Sequence, residues 1–366
     1  MGSIVEEGSI KIFGEKKEIV DRKMPVFYNP VMKLNRDISI LLLSAFSGLD
    51  AVYRKQSTDK RRSSFRIADP LAGSGIRSLR FKKELKEGSI YEIHVNDLKP
   101  DYETYLKRNI ELNNLNQEEF IIYNEDANLF LEKSAGFDYI DIDPFGSPNP
   151  FLDSAIRALR SEGILAVTAT DTSALCGSYP GACKRKYWAT PLRNHIMHEF
   201  GLRILIRKVQ LIGLQYEKAL IPVFSYAKDH YMRVFFLNTK SKKLCDEISK
   251  KHSFLILDED IYGPVWTGDL WDDNLIEAMQ REASILDKES LKFFNLLAEE
   301  SKIKEFGFYD IHKLAKNNLK GNLPKFETIM NFLVSNGFKV SRTHFSPTGI
   351  KTDAPKDLVE KVLFSK

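Results

Sequence analysis

Arg66-Ile-Ala-Asp-Pro-Leu-Ala-Gly-Ser-Gly75 runs a short strand, Arg66 to Asp69, into a loop of small residues and then into a helix, Ile76 to Leu85. Glycines at 73 and 75 let a ligand approach the backbone closely, and the helix start behind them offers unpaired N–H groups. Structural turns often contain such a pair, so the strands downstream of it decide the reading. Ile90 to Val95 forms a second strand ending at Asn96-Asp97, with a helix from Pro100 to Asn113. Phe120 to Tyr123 forms a third, ending near Asp126, and Phe137 to Ile142 a fourth, with its helix from Phe151 to Arg160. Gly163 to Thr170 is a fifth strand. This alternation predicts an α/β fold, a parallel sheet with helices on both faces. Ile221 to Tyr226 and Tyr231 to Leu237 read as an antiparallel hairpin at its edge.

The residues at the strand ends carry the chemistry. Ser78 stands where a dinucleotide fold has its third glycine, which weakens a pyrophosphate-binding reading. Asp97, 22 residues beyond Gly75, is placed to accept both hydroxyls of a ribose, and Asp126 to accept the exocyclic amine of an adenine. After the fourth strand comes Asp143-Pro-Phe-Gly-Ser-Pro148. There an acid can accept a hydrogen bond from the N–H of a nucleobase amine while the ring stacks on the base, and proline stiffens the backbone that aims both. Acids after strands one, two and three, then Asp-Pro-Phe after strand four, describe a Rossmann-like class I methyltransferase sheet that uses S-adenosyl-L-methionine and modifies amines.

Composition bounds the alternatives. A chain of 366 residues can hold two full cores, and 43% hydrophobic residues exclude a disordered chain. The net charge of +4 is too small to announce a polyanion ligand, so a nucleic-acid surface must come from local clustering. Cys176, Cys183 and Cys245 form no disulfide framework, and the charged N-terminus has no apolar signal segment. The longest aliphatic run, Ile38 to Phe46, is too short to span a bilayer. A cytoplasmic protein with no membrane association and no obligate protein partner is expected.

Residues 1–240 are expected to form the catalytic domain with an N-terminal extension, and 241–366 a smaller α+β C-terminal domain. Between Cys176 and His195 the chain carries Lys184, Arg185, Lys186 and Arg193 without an acid, interleaved with Tyr179, Tyr187 and Trp188. That mixture suits phosphates and stacked bases. Arg61, Arg62 and the lysines at 240, 242 and 243 extend the basic character. His195 and His198 lie three apart on a helix and, with no third ligand nearby, are read as structural, as are the thiols of Cys176 and Cys183.

Five segments resemble the tRNA (guanine-26, N2) dimethyltransferase family: Phe27-Tyr-Asn-Pro-Val-Met-Lys-Leu-Asn-Arg-Asp37, Asp69 to Gly75, Asp143 to Pro148, Thr170-Asp-Thr172 and Gly263-Pro-Val-Trp266. The resemblance runs from about residue 5 to the C-terminus, and the first segment is its most specific carrier. It implies S-adenosyl-L-methionine as cofactor and tRNA as partner. Arg36 and Arg66 would contact the cofactor, Arg36 through its methionine carboxylate; Asp97 would hold the ribose, and Asp126 with Ala127 the adenine. Asp143 would be the catalytic acid-base residue, and Phe27 and Phe145 would sandwich or buttress the guanine. Family members often carry two zinc-binding cysteine pairs before the Gly-Pro-x-Trp segment. Here only Cys245 and nearby His252 stand there, so no metal is expected. The Phe27–Asp37 segment argues against the same chemistry on rRNA or DNA. The intact acids argue against a non-catalytic RNA-binding scaffold.

Overall fold

The computed structural model describes residues 3–14, 27–49, 64–257, 259–316 and 323–364. The N-terminus opens with a hairpin of β1 (Ile4–Glu7) and β2 (Ile10–Phe13). The main sheet is built from β3 (Phe65–Asp69), β4 (Ile90–Asn96), β5 (Phe120–Tyr123), β6 (Phe137–Ile142), β7 (Leu159–Ala169), β8 (Lys218–Lys228) and β9 (Tyr231–Lys240). Its order is β5-β4-β3-β6-β7-β9-β8. The first five are parallel, and β9 and β8 close the edge as the antiparallel hairpin expected from sequence.

The chain runs outward from β3 to β5 and returns to β6 on the other side of β3, so a crevice opens between the ends of β3 and β6. In open α/β sheets ligands bind at such a reversal. Every residue of β6 is buried, as a central strand requires. Its two aspartates survive there because each is paired. Asp138 accepts from the Arg66 amide at 2.9 Å and pairs with Arg160 at 2.9 Å, and Asp141 binds Arg233.

The helix Lys33–Ser47 is apolar almost all round, because it lies between the helix Ile76–Glu84 and the helices Asp273–Glu282 and Lys288–Glu300. The aliphatic run Ile38 to Phe46 lies inside this helix, which begins at Lys33; Arg61 and Arg62 lie outside the described residues. The helix expected to reach Arg160 ends at Ala158, and β7 starts at Leu159. The β1–β2 hairpin was not legible in sequence, since strands this short carry too few alternating positions. It is held by Asn109 and Asn113, whose Oδ1 atoms accept from the Phe13 and Lys11 amides at 2.8 Å each.

The core does not break at residue 240. Cys245, Trp266, Trp271, Leu275, Phe294 and Leu297 belong to the same buried cluster as the main sheet. A separate small core, with Ile311, Ile329, Leu333, Ile350 and Val359 at its centre, serves a three-stranded sheet of Tyr309–Asp310, Val340–Thr343 and Ser346–Thr352, and its helices. Glu199 ties the two. Its Oε1 accepts from Arg203 and from the Gly307 amide at 3.1 Å, and its Oε2 lies 3.1 Å from Lys351 Nζ. No helix among the described residues is long and apolar enough to cross a membrane.

Candidate active site

The crevice at the ends of β3 and β6 is a pocket lined by Phe27, Tyr28, Arg36, Asp69, Ser74, Arg77, Asp143 and Phe145 among others. Its floor is a buried polar network. Arg77 donates from Nη2 to Asp143 Oδ2 at 2.5 Å and from Nη1 to Asn35 Oδ1 at 2.9 Å, and Nη1 stands 3.2 Å from Asp141. Arg233 donates to both oxygens of Asp141, at 2.8 and 2.6 Å, and to Thr168 and Ser39. Tyr139 donates to Asp141 at 2.6 Å. Burial opposes the Asp141 charge, yet Arg233 and Arg77 outweigh it and hold its carboxyl below the ordinary range. Two carboxylates and two guanidiniums thus share one layer, in which Asp143 alone is partly exposed, toward the pocket. Removing any one would leave an uncompensated buried charge.

Asp69 lies beside that layer with a different balance. Burial pushes its carboxyl up to about 7, against the pull of Arg77, while it accepts a 2.8 Å hydrogen bond from Ser78. Ser78 therefore has a local role of its own at the place where a third glycine would stand.

Asp143 is held from one side only. Arg77 binds Oδ2, and Oδ1 makes no hydrogen bond among the described residues. The loop after it is pinned by the Gly146 amide donating to Thr170 Oγ1 at 2.6 Å, with the Thr170 amide donating back at 2.9 Å. Gly146 sits at φ 84°, a conformation that favours glycine. This turn presents Phe145, which meets Phe27 edge-to-face with ring centroids 4.6 Å apart. Asp143, Phe27 and Phe145 therefore converge.

The glycine loop and the acids form the adjoining rim. Gly73 and Gly75 take φ values of 59° and 75°. Asp97 accepts from the Gly73 amide at 2.8 Å and the Lys99 amide at 3.0 Å. Asp126 caps the helix Ala127–Lys133 through one oxygen, Oδ1, accepting from Asn128 and Leu129. Ala127 is buried at that helix start.

Arg36 lines the pocket, but its Nε and Nη2 grip the Glu7 carboxylate, and Nη2 also donates to the Asn29 carbonyl at 3.0 Å. Its Nη1 has no hydrogen bond among the described residues. Arg66 is not brought to the site. It stands at the start of β3, about 10 Å of strand from Asp69, donating to Glu92 Oε2 at 2.7 Å and to the Ala135 carbonyl. The expectation for Arg66 is corrected accordingly: the arginine that the fold delivers to the pocket is Arg77. Sequence reading missed it because a basic residue one position into a helix is ordinary. Arg233 left a clearer signal, as a lone charge inside the apolar run Tyr231 to Leu237.

Burial pushes the thiols of Cys176 and Cys183 up to about 12, so neither is a thiolate nucleophile near neutral pH. Cys176 Sγ lies 3.4 Å from His198 Nδ1. Among the described residues no group of three His, Cys, Asp or Glu side chains is placed to hold a metal.

Comparison with known proteins agrees with the fold. A family model described as N2,N2-dimethylguanosine tRNA methyltransferase matches residues 7–257 and 238–364. The chain is 40% identical to the tRNA (guanine(26)-N(2))-dimethyltransferase of Methanocaldococcus jannaschii, over 98% of each chain. It is 35% identical to the tRNA (guanine(26)-N(2)/guanine(27)-N(2))-dimethyltransferase of Aquifex aeolicus, over 98% of this chain and 95% of that one. Among solved structures it is similar to Trm1 from Pyrococcus horikoshii in complex with S-adenosyl-L-methionine, with 34% identity, 99% and 100% coverage and a TM-score of 0.86.

Proposed function

The chain belongs to the N2,N2-dimethylguanosine tRNA methyltransferase family, and we propose that the pocket between β3 and β6 is its active site. The protein transfers methyl groups from S-adenosyl-L-methionine to the exocyclic N2 of guanine 26 in tRNA, giving N2-methyl- and N2,N2-dimethylguanosine. The observation that carries this assignment to the pocket is the Asp143 carboxylate, anchored by Arg77 on one oxygen and open on the other, beside the Phe27–Phe145 pair.

The residues present fit the cofactor. A Cβ added to Gly73 would lie 3.1 Å from the Phe27 ring and 3.2 Å from its carbonyl oxygen, so a side chain there would crowd the pocket wall. Ser74 Oγ is buried beside the pocket with no hydrogen-bond partner among the described residues. Asp97 and Asp126 would take the ribose and the adenine amine, with Ala127 against the ring. Arg36 Nη1, without a hydrogen bond among the described residues, would take the methionine carboxylate. Bound S-adenosyl-L-methionine supplies a methyl group already activated on a sulfonium centre.

The chain's own residues do the rest. The N2 lone pair of guanine is delocalised into the ring, so the amine is a weak nucleophile. Asp143 Oδ1 accepts from N2–H, raises the electron density on nitrogen, and receives the proton as the N–C bond forms and the C–S bond breaks. General-base help of this kind contributes about 10²–10⁴-fold. Arg77 keeps the carboxylate in one orientation through its rigid fork, and Phe27 and Phe145 would hold the base plane. Correct alignment of the reacting atoms accounts for much of the remainder.

The helix Pro180–Tyr187 supports the tRNA reading. Lys184, Arg185 and Lys186 are exposed on it, and Tyr187 moors it to the pocket rim by donating to Asp171 at 2.5 Å and accepting from the Ser147 hydroxyl at 3.0 Å. The C-terminal domain would clamp the tRNA body, reading shape rather than bases. Methyl transfer from labelled S-adenosyl-L-methionine into unmodified bulk tRNA, followed by nucleoside analysis, tests the proposal. N2,N2-dimethylguanosine at position 26 is expected; label confined to rRNA or DNA would overturn it.

A further inference from the structure

Trp188, the residue that ends the helix Pro180–Tyr187, is held in the left-handed conformation at φ 56° and ψ 40°. A bulky residue rarely adopts it, and here two neighbours impose it. The Trp188 amide donates to the Lys184 carbonyl at 3.2 Å, and its carbonyl accepts from Arg207 Nη1 at 3.4 Å. Two residues on, Thr190 exchanges both backbone hydrogen bonds with Gly263, at 2.7 and 2.8 Å. The Gly263–Trp266 segment singled out in the sequence therefore fixes this loop. Trp188 is 51% exposed, and the Lys208 ammonium lies 3.0 Å from its ring centroid.

The charge around that ring is unbalanced. Lys208 is only 5% exposed, and Arg207 Nε is buried with no hydrogen-bond partner among the described residues. No carboxylate among the described residues pairs with either. Burial lowers the Lys208 ammonium to about 8, and the Arg207 charge adds to the fall. His252, pushed down to about 4 by burial and then by Arg207, is neutral at physiological pH and brings no countercharge. Buried cations are normally paired. Buried Lys208 under an exposed aromatic ring, with half-buried Arg207 beside it and no acid paired to either among the described residues, forms a site that an anion would complete.

We propose that Trp188, Arg207 and Lys208 form a phosphate-binding site for the RNA backbone outside the catalytic pocket, with the open face of Trp188 against the base or sugar of the same nucleotide. The proposal rests on the tRNA reading above. RNA is the anion source that fits best, because cations next to a solvent-facing aromatic ring grip single nucleotides without regard to sequence. The site also continues the row of Lys184, Arg185 and Lys186, and Tyr187 joins it to the pocket rim through Asp171 and Ser147.

The test compares full-length wild type with Lys208→Met and Arg207→Gln, measuring affinity for an unmodified tRNA transcript over a series of salt concentrations. Loss of one phosphate contact should lower the slope of log affinity against log salt by about 1 in each variant. S-adenosyl-L-methionine affinity and kcat at saturating tRNA should stay at the wild-type level. Lys208→Met should also be at least as resistant to unfolding as wild type, because an uncompensated buried charge is gone; a lysine kept for structure would show the reverse. Unchanged slopes in both folded variants would overturn the proposal. So would calorimetric binding of inorganic phosphate that needs Lys208 while the tRNA slopes stay the same. If wild type fails to methylate tRNA yet binds it with a slope that depends on Lys208, the functional reading falls and this site stands.

Discussion

Arg77 Nη2 lies 2.5 Å from Asp143 Oδ2, and Nη1 of the same guanidinium stands 3.2 Å from Asp141, so one arginine joins the pocket-lining Asp143 carboxylate to the buried charge layer beneath it. That layer continues through Asp141 to Arg233, which is fully buried and donates to five oxygen atoms. The orientation of Asp143 is therefore set by residues on five segments: the helix Lys33–Ser47, the helix Ile76–Glu84, β6, β7 and β9.

Asp143→Ala should retain S-adenosyl-L-methionine affinity and lose about 10²–10⁴-fold in single-turnover methyl transfer. Asp143→Asn keeps an oxygen that can accept from N2–H but cannot take the proton at neutral pH, so it should be nearly as slow. Wild-type rates in Asp143→Asn would remove the residue from proton transfer.

Arg77→Met leaves Asp141 and Asp143 with one guanidinium between them. Breaking a buried charge pair in this way costs about 3–5 kcal/mol, to be read from the midpoint of urea unfolding. Arg77→Lys keeps the charge but loses the fork, and should lower kcat more than it lowers stability. Equal stability in Arg77→Met and wild type would show that the layer is not electrostatically closed.

Arg66→Ala should leave cofactor affinity unchanged, because its guanidinium is committed to Glu92 and the Ala135 carbonyl at the far end of β3. Arg36→Ala should weaken that affinity and leave the buried Glu7 carboxylate to Arg80 and Tyr28 alone. Equilibrium dialysis with labelled S-adenosyl-L-methionine separates the two. A loss in Arg66→Ala as large as that in Arg36→Ala would contradict the placement.

Acid should loosen the latch between the two cores. Burial opposes the Glu199 charge, but Lys351, Arg203 and the Gly307 amide outweigh it and hold its carboxyl down at about 2, against an ordinary 4.5. A carboxyl depressed on folding adds stability that is fully present above its unfolded value and is lost as pH falls through the folded one. The window is thus about pH 4.5 to 2, and the contribution is on the order of 3 kcal/mol. Glu199→Gln should be less stable at neutral pH and should flatten the acid limb of the stability curve in that window. Parallel curves for the two proteins would refute the assignment.

The amino-acid sequence by itself determined the parallel sheet, the edge hairpin, and the identities of Asp97, Asp126, Asp143 and Phe145 at strand ends. Those features are local. Strand ends are marked by a change from apolar residues to acid, glycine and proline, and a doubly wound sheet puts its parallel strand ends on one edge whatever their distance in sequence. The Phe27–Asp37 segment was legible as a marker but not as a mechanism. Only the folded chain turns Asn35 and Arg36 toward Arg77 and Glu7. Tertiary structure alone decided that Arg77 and not Arg66 lines the pocket, that Asp69 sits at the edge of a charge-balanced layer, and that Lys208 and Arg207 pair with no acid among the described residues. A charge gains its meaning from its partners and its burial, and both are set by contacts between segments as far apart as Ser39 and Arg233, which no local pattern encodes.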